Sequence, residues 1–169
     1  LVNYVTEGGV DYLVALGTTA ETPTLSPQER DMVIEHRRKV NAEKWPLIVG
    51  IGGNNTAAVI ASISKCDLSG VSAVLSVTPF YNKPTQRGLY EHYKAIAAKS
   101  PLPIILYNVP SRTGVNMLPE TTLRLAHDFN NIVAIKEACG DLEQFRELIT
   151  GRPEGFGATL GGDAMALPL

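Results

Sequence analysis

With 169 residues, 44% of them hydrophobic and 19% charged, the chain has the apolar material for one sizeable core and is not of disordered composition. Its 15 basic residues fall short of its 17 acidic ones, and a formal charge of −2 leaves no surplus with which to hold nucleic acid electrostatically. No apolar run is long enough to span a membrane as a helix, and Cys66 and Cys139 lie far apart without metal-ligand spacing, so a reducing, cytoplasmic setting is expected, with no disulfide frame or zinc site.

Leu1 to Thr6 reads as the end of a helix closed by Gly8-Gly9, so a preceding segment is expected. Tyr12 to Leu16 is a predicted strand, followed by the loop Gly17-Thr18-Thr19-Ala20-Glu21-Thr22-Pro23. Ser26-Pro27-Gln28-Glu29 has an N-cap serine, proline at the first helical position and glutamate three after the serine. That capping box opens a helix to about Asn41. Leu47 to Gly50 is the second strand and Thr56 to Lys65 the next helix; Ala73 to Val77 is the third strand, with a helix from Gln86 to about Lys99. Pro103 to Tyr107 is the fourth strand, and a helix begins near Pro119. Ile132 to Lys136 is the fifth, read as buried on both faces, with a helix from Leu142 to about Thr150. Gly155 to Leu160 is the sixth, after which Gly161-Gly162-Asp163 leads into a last helix.

Strands alternating with helices at a step of about 30 residues predict right-handed βαβ units and a parallel sheet. An open doubly wound sheet gathers its chemistry at one switch point, whereas a barrel draws it from many strand ends. Here unusual residues follow nearly every strand: Thr18 and Thr19, Gly52-Gly53, Thr78 and Tyr81, Tyr107, Lys136, Gly162-Asp163. The expected fold is therefore α/β, a (β/α)8 TIM barrel. Since a whole one takes about 250 residues, residues 1–169 are expected to be one incomplete barrel domain, about strands two to seven.

Val133-Ala134-Ile135-Lys136 spells the lysine strand of protein kinases, but the Gly-rich loop, H-R-D and D-F-G that a kinase needs are missing. Gly50-Ile51-Gly52-Gly53 precedes a helix, yet the third glycine of a dinucleotide loop would fall at Asn55; these glycines are expected to serve a tight turn. His36, His92 and His127 are scattered over helices and are expected at the surface, with no metal site. Lys136 ends a strand read as buried, at the end where a barrel places its chemistry. Without metal or cofactor, a lysine so placed points to covalent catalysis, the amine attacking a carbonyl to give an iminium. Tyr107 closes the adjacent strand and is a candidate proton shuttle. Thr18 and Thr19 are candidates to hold a carboxylate, and Arg112 offers a forked donor for a second. Each has a plainer reading, as a core tyrosine, turn-capping threonines, or a lysine and an arginine in solvent. Their recurrence at successive strand ends favours a site.

Gly17-Thr18-Thr19-Ala20-Glu21, Thr78-Pro79-Phe80-Tyr81-Asn82-Lys83-Pro84, Tyr107-Asn108-Val109-Pro110-Ser111-Arg112-Thr113-Gly114 and Ile135-Lys136-Glu137-Ala138 together resemble the dihydrodipicolinate synthase family of pyruvate-dependent class I aldolases. The resemblance covers almost the whole chain. It implies a TIM barrel that condenses pyruvate with aspartate 4-semialdehyde in lysine biosynthesis, with no cofactor beyond the Schiff base on Lys136. It further implies that Tyr107 relays protons and that Thr18 links it to Tyr81, which reaches the site of a neighbouring copy in a homodimer or dimer of dimers. Thr19 is implied to hold the pyruvate carboxylate, and Arg112 that of the semialdehyde. A neuraminate or related keto-acid lyase is the runner-up, and a non-catalytic barrel-derived binding protein the rival of another class. Two departures stand out: Gly161-Gly162-Asp163-Ala164 replaces the more usual Ser-Gly-Asp-Asp, and Ala20 stands where the family usually has glycine, which strains the loop if that position requires positive φ.

Overall fold

The computed structural model describes residues 1–41 and 44–161; Gly162, Asp163 and the last expected helix lie outside the described residues. A short helix α1 (Val2–Glu7), closed at Gly8 with Gly9 at positive φ, precedes β1 (Leu13–Ala15) and α2 (Pro27–Asn41). Then follow β2 (Leu47–Gly50), α3 (Thr56–Lys65), β3 (Ala73–Val77), α4 (Gln86–Ala97), β4 (Ile104–Asn108), the four-residue α5 (Pro110–Thr113), α6 (Pro119–Asp128), β5 (Ile132–Glu137), α7 (Leu142–Gly151) and β6 (Gly157–Leu160).

All six strands are parallel, and their spatial order is their chain order, β1-β2-β3-β4-β5-β6. An open doubly wound sheet requires a reversal of order, and there is none. Strands about 4.8 Å apart would set β1 and β6 roughly 24 Å from each other in a flat sheet. Yet Val14 of β1 and Leu160 of β6 line one cavity, so the sheet is curled as a barrel wall is.

The two faces of the wall are packed differently. Ile104, Leu106, Ile132 and Ile135 point outward into a layer with Val59 and Ile63 of α3, Leu89, Tyr93 and Ile96 of α4, Leu125 of α6 and Leu148 of α7. Each fully buried aliphatic side chain there contributes about 1.5–3 kcal/mol. A smaller inner cluster joins Ile48, Ala73, Leu75, Tyr107 and Val109 on the concave face. The fifth strand is therefore not buried on both faces: Ile135 is fully buried outward, whereas Ala134 and Lys136 on the concave side are half-buried. A one-residue register shift sets this alternation. Ile104 pairs with Ile132 but Ile105 with Ala134, so Val133 is an extra residue in the ladder.

The capping box forms as expected, with Ser26 N donating to Glu29 Oε2 (2.7 Å) and Glu29 N to Ser26 Oγ (3.3 Å). The backbone bond holds the Glu29 carboxyl below its usual range. Four differences from expectation have local causes. Leu16 leaves β1 early because it turns to φ +56°, and Gly155 at φ +81° belongs to the turn before β6. The turn α5 was not expected; Pro110 starts it and Gly114, at φ +75°, closes it with its N–H on Pro110 O. His36 and His127 are exposed, but His92 is 5% exposed because it lies on the stripe Leu89, His92, Tyr93, Ile96 that α4 turns inward.

His92 Nδ1 and Thr56 Oγ1 are hydrogen-bonded at 2.8 Å, and burial pushes the imidazole pKa down to about 4. The folded state thus resists a proton that the unfolded chain accepts near pH 6.5. The stability that the neutral ring contributes is complete above pH 6.5 and is lost as pH falls towards 4. His92→Gln, which does not titrate, is expected to remove up to about 1.4 kcal/mol per pH unit from the slope of stability in that window. Urea unfolding of both proteins between pH 7 and 4.5 measures the difference.

Candidate active site

The C-terminal ends of the strands open on a cavity of about 420 Å³. Its wall includes Thr18 and Thr19 after β1, Tyr107 on β4, Ser111 and Arg112 on α5, Lys136 on β5, the turn Ala138 to Asp141, and Gly161 after β6. Five of the six residues expected to form a site therefore meet. The sixth, Tyr81, does not line this cavity; it is 88% exposed.

Strand register brings the central pair together. Tyr107 stands directly opposite Lys136, and both point to the concave face, as Thr159 does beside Lys136. Lys136 Nζ lies 4.7 Å from the centroid of the Tyr107 ring, within reach of a cation–π contact. Tyr107 is buried and Lys136 half-buried. The ladder runs on past both strands: Thr78 N donates to Tyr107 O (2.9 Å), Ala138 N to Asn108 O (2.8 Å) and Gly161 N to Glu137 O (2.7 Å). The rim is thus held by backbone bonds. Among the described residues, Thr18, Thr19, Tyr107, Arg112 and Lys136 make no side-chain hydrogen bond within the chain. Their polar atoms are left for whatever enters.

The Thr18-Thr19 loop is shaped by strain and by one close approach. Leu16 (φ +56°) and Glu21 (φ +50°) bracket a 3₁₀ turn, Thr18–Ala20, at a cost of about 1–2 kcal/mol for each left-handed residue. Thr22 Oγ1 offsets part of this by donating to Leu16 O (3.0 Å) and Gly17 O (3.2 Å). Ala20 is not at positive φ, so the expected conflict with a side chain there does not arise; the left-handed residue is its neighbour Glu21. Gly50, Gly52 and Gly53 likewise have no positive φ. Gly50 serves proximity, since a Cβ there would sit 2.0 Å from Leu16 O, and one on Gly52 would meet Val77 N at 2.8 Å. Arg112 is presented by α5, which buried Thr113 pins through its hydroxyl to Val109 O (3.2 Å) and Val115 O (3.0 Å).

Cys139, in the cavity wall, was passed over in sequence. Both cysteines are free, and burial, with help from the Glu137 carboxylate, raises the Cys139 thiol to about 11. It is protonated at neutral pH and a poor nucleophile. Lys136, half-buried in the same wall, places an amine in the cavity. The arrangement suits an amine attacking a carbonyl, with a phenol beside it and donors at two sides for carboxylates.

The Dihydrodipicolinate synthetase family model matches residues 1–169. A 4-hydroxy-tetrahydrodipicolinate synthase of Flavobacterium psychrophilum is 55% identical over 169 residues, all of this chain and 58% of the relative. One from Bacillus subtilis is 49% identical over the same length and share. Among solved structures, a dihydrodipicolinate synthase from Bacillus anthracis superposes with a TM-score of 0.94 at 43% identity, over 99% of this chain and 57% of that one. A chloride-inhibited dihydrodipicolinate synthase from Acinetobacter baumannii, complexed with pyruvate, gives 0.93 at 44%, with the same coverage. The chain spans little more than half the length of these relatives.

Gly50→Ala is expected to cost about 3 kcal/mol or more, because the methyl group meets backbone that cannot yield without moving the Thr18-Thr19 loop. Gly53→Ala, which meets only the Val59 side chain at 3.3 Å, is expected to cost less. Urea midpoints of the two variants make the comparison.

Proposed function

The chain belongs to the dihydrodipicolinate synthetase family, and on that premise we propose that the protein is a 4-hydroxy-tetrahydrodipicolinate synthase, a Schiff-base lyase condensing pyruvate with aspartate 4-semialdehyde. The observation that carries this reading is the register pair Tyr107 and Lys136 on the wall of one cavity with Thr18, Thr19 and Arg112. The Lys136 amine attacks C2 of pyruvate, and the adduct loses water as Tyr107 delivers a proton to the departing hydroxyl, leaving an iminium. Removal of a C3 proton gives an enamine, whose C3 attacks the aldehyde carbon of the second substrate while the aldehyde oxygen takes up a proton. The amino group of that substrate then attacks the imine carbon, closing the ring and releasing Lys136. No cofactor is needed. Thr19 holds the pyruvate carboxylate and Arg112 that of the semialdehyde, a pairing suited to a forked guanidinium. Arg112 also favours this reaction over that of a neuraminate lyase.

Tyr81 enters the reading through a second copy. It sits at φ +74° with its ring in solvent, in a loop tied to the Arg112 turn by Tyr81 N donating to Thr113 O (3.3 Å). A strained, exposed aromatic beside the site is what a side chain completing a neighbouring copy's site requires, with Thr18 between it and Tyr107. The protein is accordingly a homodimer or dimer of dimers in this reading. No helix among the described residues is long and apolar enough to cross a membrane, and the place of work is the cytoplasm, where the lysine pathway is supplied.

Borohydride added to the full-length protein with pyruvate is expected to fix an adduct on Lys136, located by peptide mass. Labelling of another lysine, or of none, overturns the mechanism, and the latter favours a binding protein. Arg112→Ala is expected to spare this adduct and to lower condensation with the semialdehyde roughly ten- to hundredfold, the range for a lost charge-assisted hydrogen bond of about 1.5–3 kcal/mol. Single-turnover rates for the two steps separate them, and equal loss in both would assign Arg112 to the fold or to the first substrate.

A further inference from the structure

Behind the Tyr107–Lys136 rung lies a second one, facing the helices, where Asn108 stands opposite Glu137. Glu137 is 2% exposed, and it takes part in none of the ion pairs among the described residues. A buried carboxylate without a cation is costly unless its oxygens are filled with hydrogen bonds. Here they are: Oε1 accepts from Asn108 Nδ2 (3.0 Å) and Cys139 N (2.8 Å), and Oε2 from Asn108 Nδ2 (3.1 Å) and Gln144 Nε2 (3.1 Å). The network closes on itself. Asn116 Nδ2 donates to Gln144 Oε1 (2.8 Å), Asn108 Nδ2 to Asn116 Oδ1 (2.8 Å), and Met117 N to Asn108 Oδ1 (3.0 Å).

We infer that Glu137 is a positioning residue for the Schiff-base step, its buried carboxylate clamping β4, β5, α7 and the segment after the Arg112 turn into one geometry. The clamp lies close in sequence to several parts of the site. Asn108 follows Tyr107, Glu137 follows Lys136, Cys139 lies in the cavity wall, and Asn116 is four residues from Arg112. A strand end held only by its backbone can twist, which tilts Lys136 away from the Tyr107 ring. The clamp removes that freedom, and a misplacement of about 1 Å in such a site costs about a hundredfold in rate. An apolar residue would fill the space behind the strand at less cost, but it would join none of the four segments. The pyruvate-side threonines stand outside the network, held instead by Thr22.

This inference rests on the Schiff-base reading above, and the test keeps the two apart. Glu137→Gln turns an NH₂ group towards atoms that already donate, leaving one donor facing another. In the full-length protein the imine with pyruvate is expected to form ten- to hundredfold more slowly per trappable site, with pyruvate affinity within about threefold of the unsubstituted protein. Adding Gln144→Glu returns a carboxylate to the network from the helix side, and the double variant is expected to recover to within about threefold of the original rate. Gln144→Leu keeps three of the four contacts to Glu137, so it carries the test if Glu137→Gln does not fold; it is expected to slow the imine step by a smaller factor. A merely structural role lowers the number of trappable sites and leaves the rate per site unchanged. That result in Glu137→Gln or Gln144→Leu, or a double variant that folds but is no faster than Glu137→Gln, overturns the positioning role. Failure of the unsubstituted protein to form any imine overturns the functional reading and this role with it.

Discussion

The pairing of β4 with β5 is the constraint on which the rest of the site depends. Because neighbouring residues of a strand point to opposite faces, one register decides two things together. It sets Tyr107 against Lys136 over the cavity, and it sets Asn108 against Glu137 among the helices. Among the described residues, the side chains of the first rung have no hydrogen-bond partner, whereas those of the second are joined in one network.

The same division runs through the backbone. The helix-facing layer is regular and filled with Leu, Ile and Val in ordinary conformations. Among the described residues, the four non-glycine ones at positive φ, Leu16, Glu21, Tyr81 and Lys83, all lie at the rim where the strands end. Strain of this kind persists only where the surroundings over-determine it. Thr22 on Leu16 and the bond from Tyr81 to Thr113 are visible parts of that restraint.

Much of the fold could be read from the chain because its signals are local. The Ser26 to Glu29 box, the strand over Ala73 to Val77 and the helix over Thr56 to Lys65 each depend on residues close together in sequence, and each lies where it was expected. The cavity was legible for a related reason: a βαβ repeat sends every strand end to one rim, so Thr18, Thr19, Tyr107, Arg112 and Lys136 had to meet. What escaped depends on long-range geometry. Gly50 is needed because of Leu16, 34 residues earlier, and Glu137 is held by Asn108, 29 residues earlier. His92 looked like a surface residue until the inward face of α4 was known, although its spacing from Leu89 and Ile96 was there to be used. The family resemblance supplied roles for single residues but nothing about the clamp behind them.

The extra residue at Val133 bears on how this chain can drift over generations. Ile132 before it and Ile135 after it both face the helices, and the phase that resumes at Ala134 turns Lys136 towards the cavity and the Glu137 carboxylate away from it. Replacing Ala134 or Ile135 by a neighbour of similar size leaves that phase intact. Gaining or losing a single residue between Ala134 and Lys136 exchanges the two faces, driving an amine into the apolar layer and a carboxylate into the cavity. Descent can therefore vary the spelling of this segment more freely than its count.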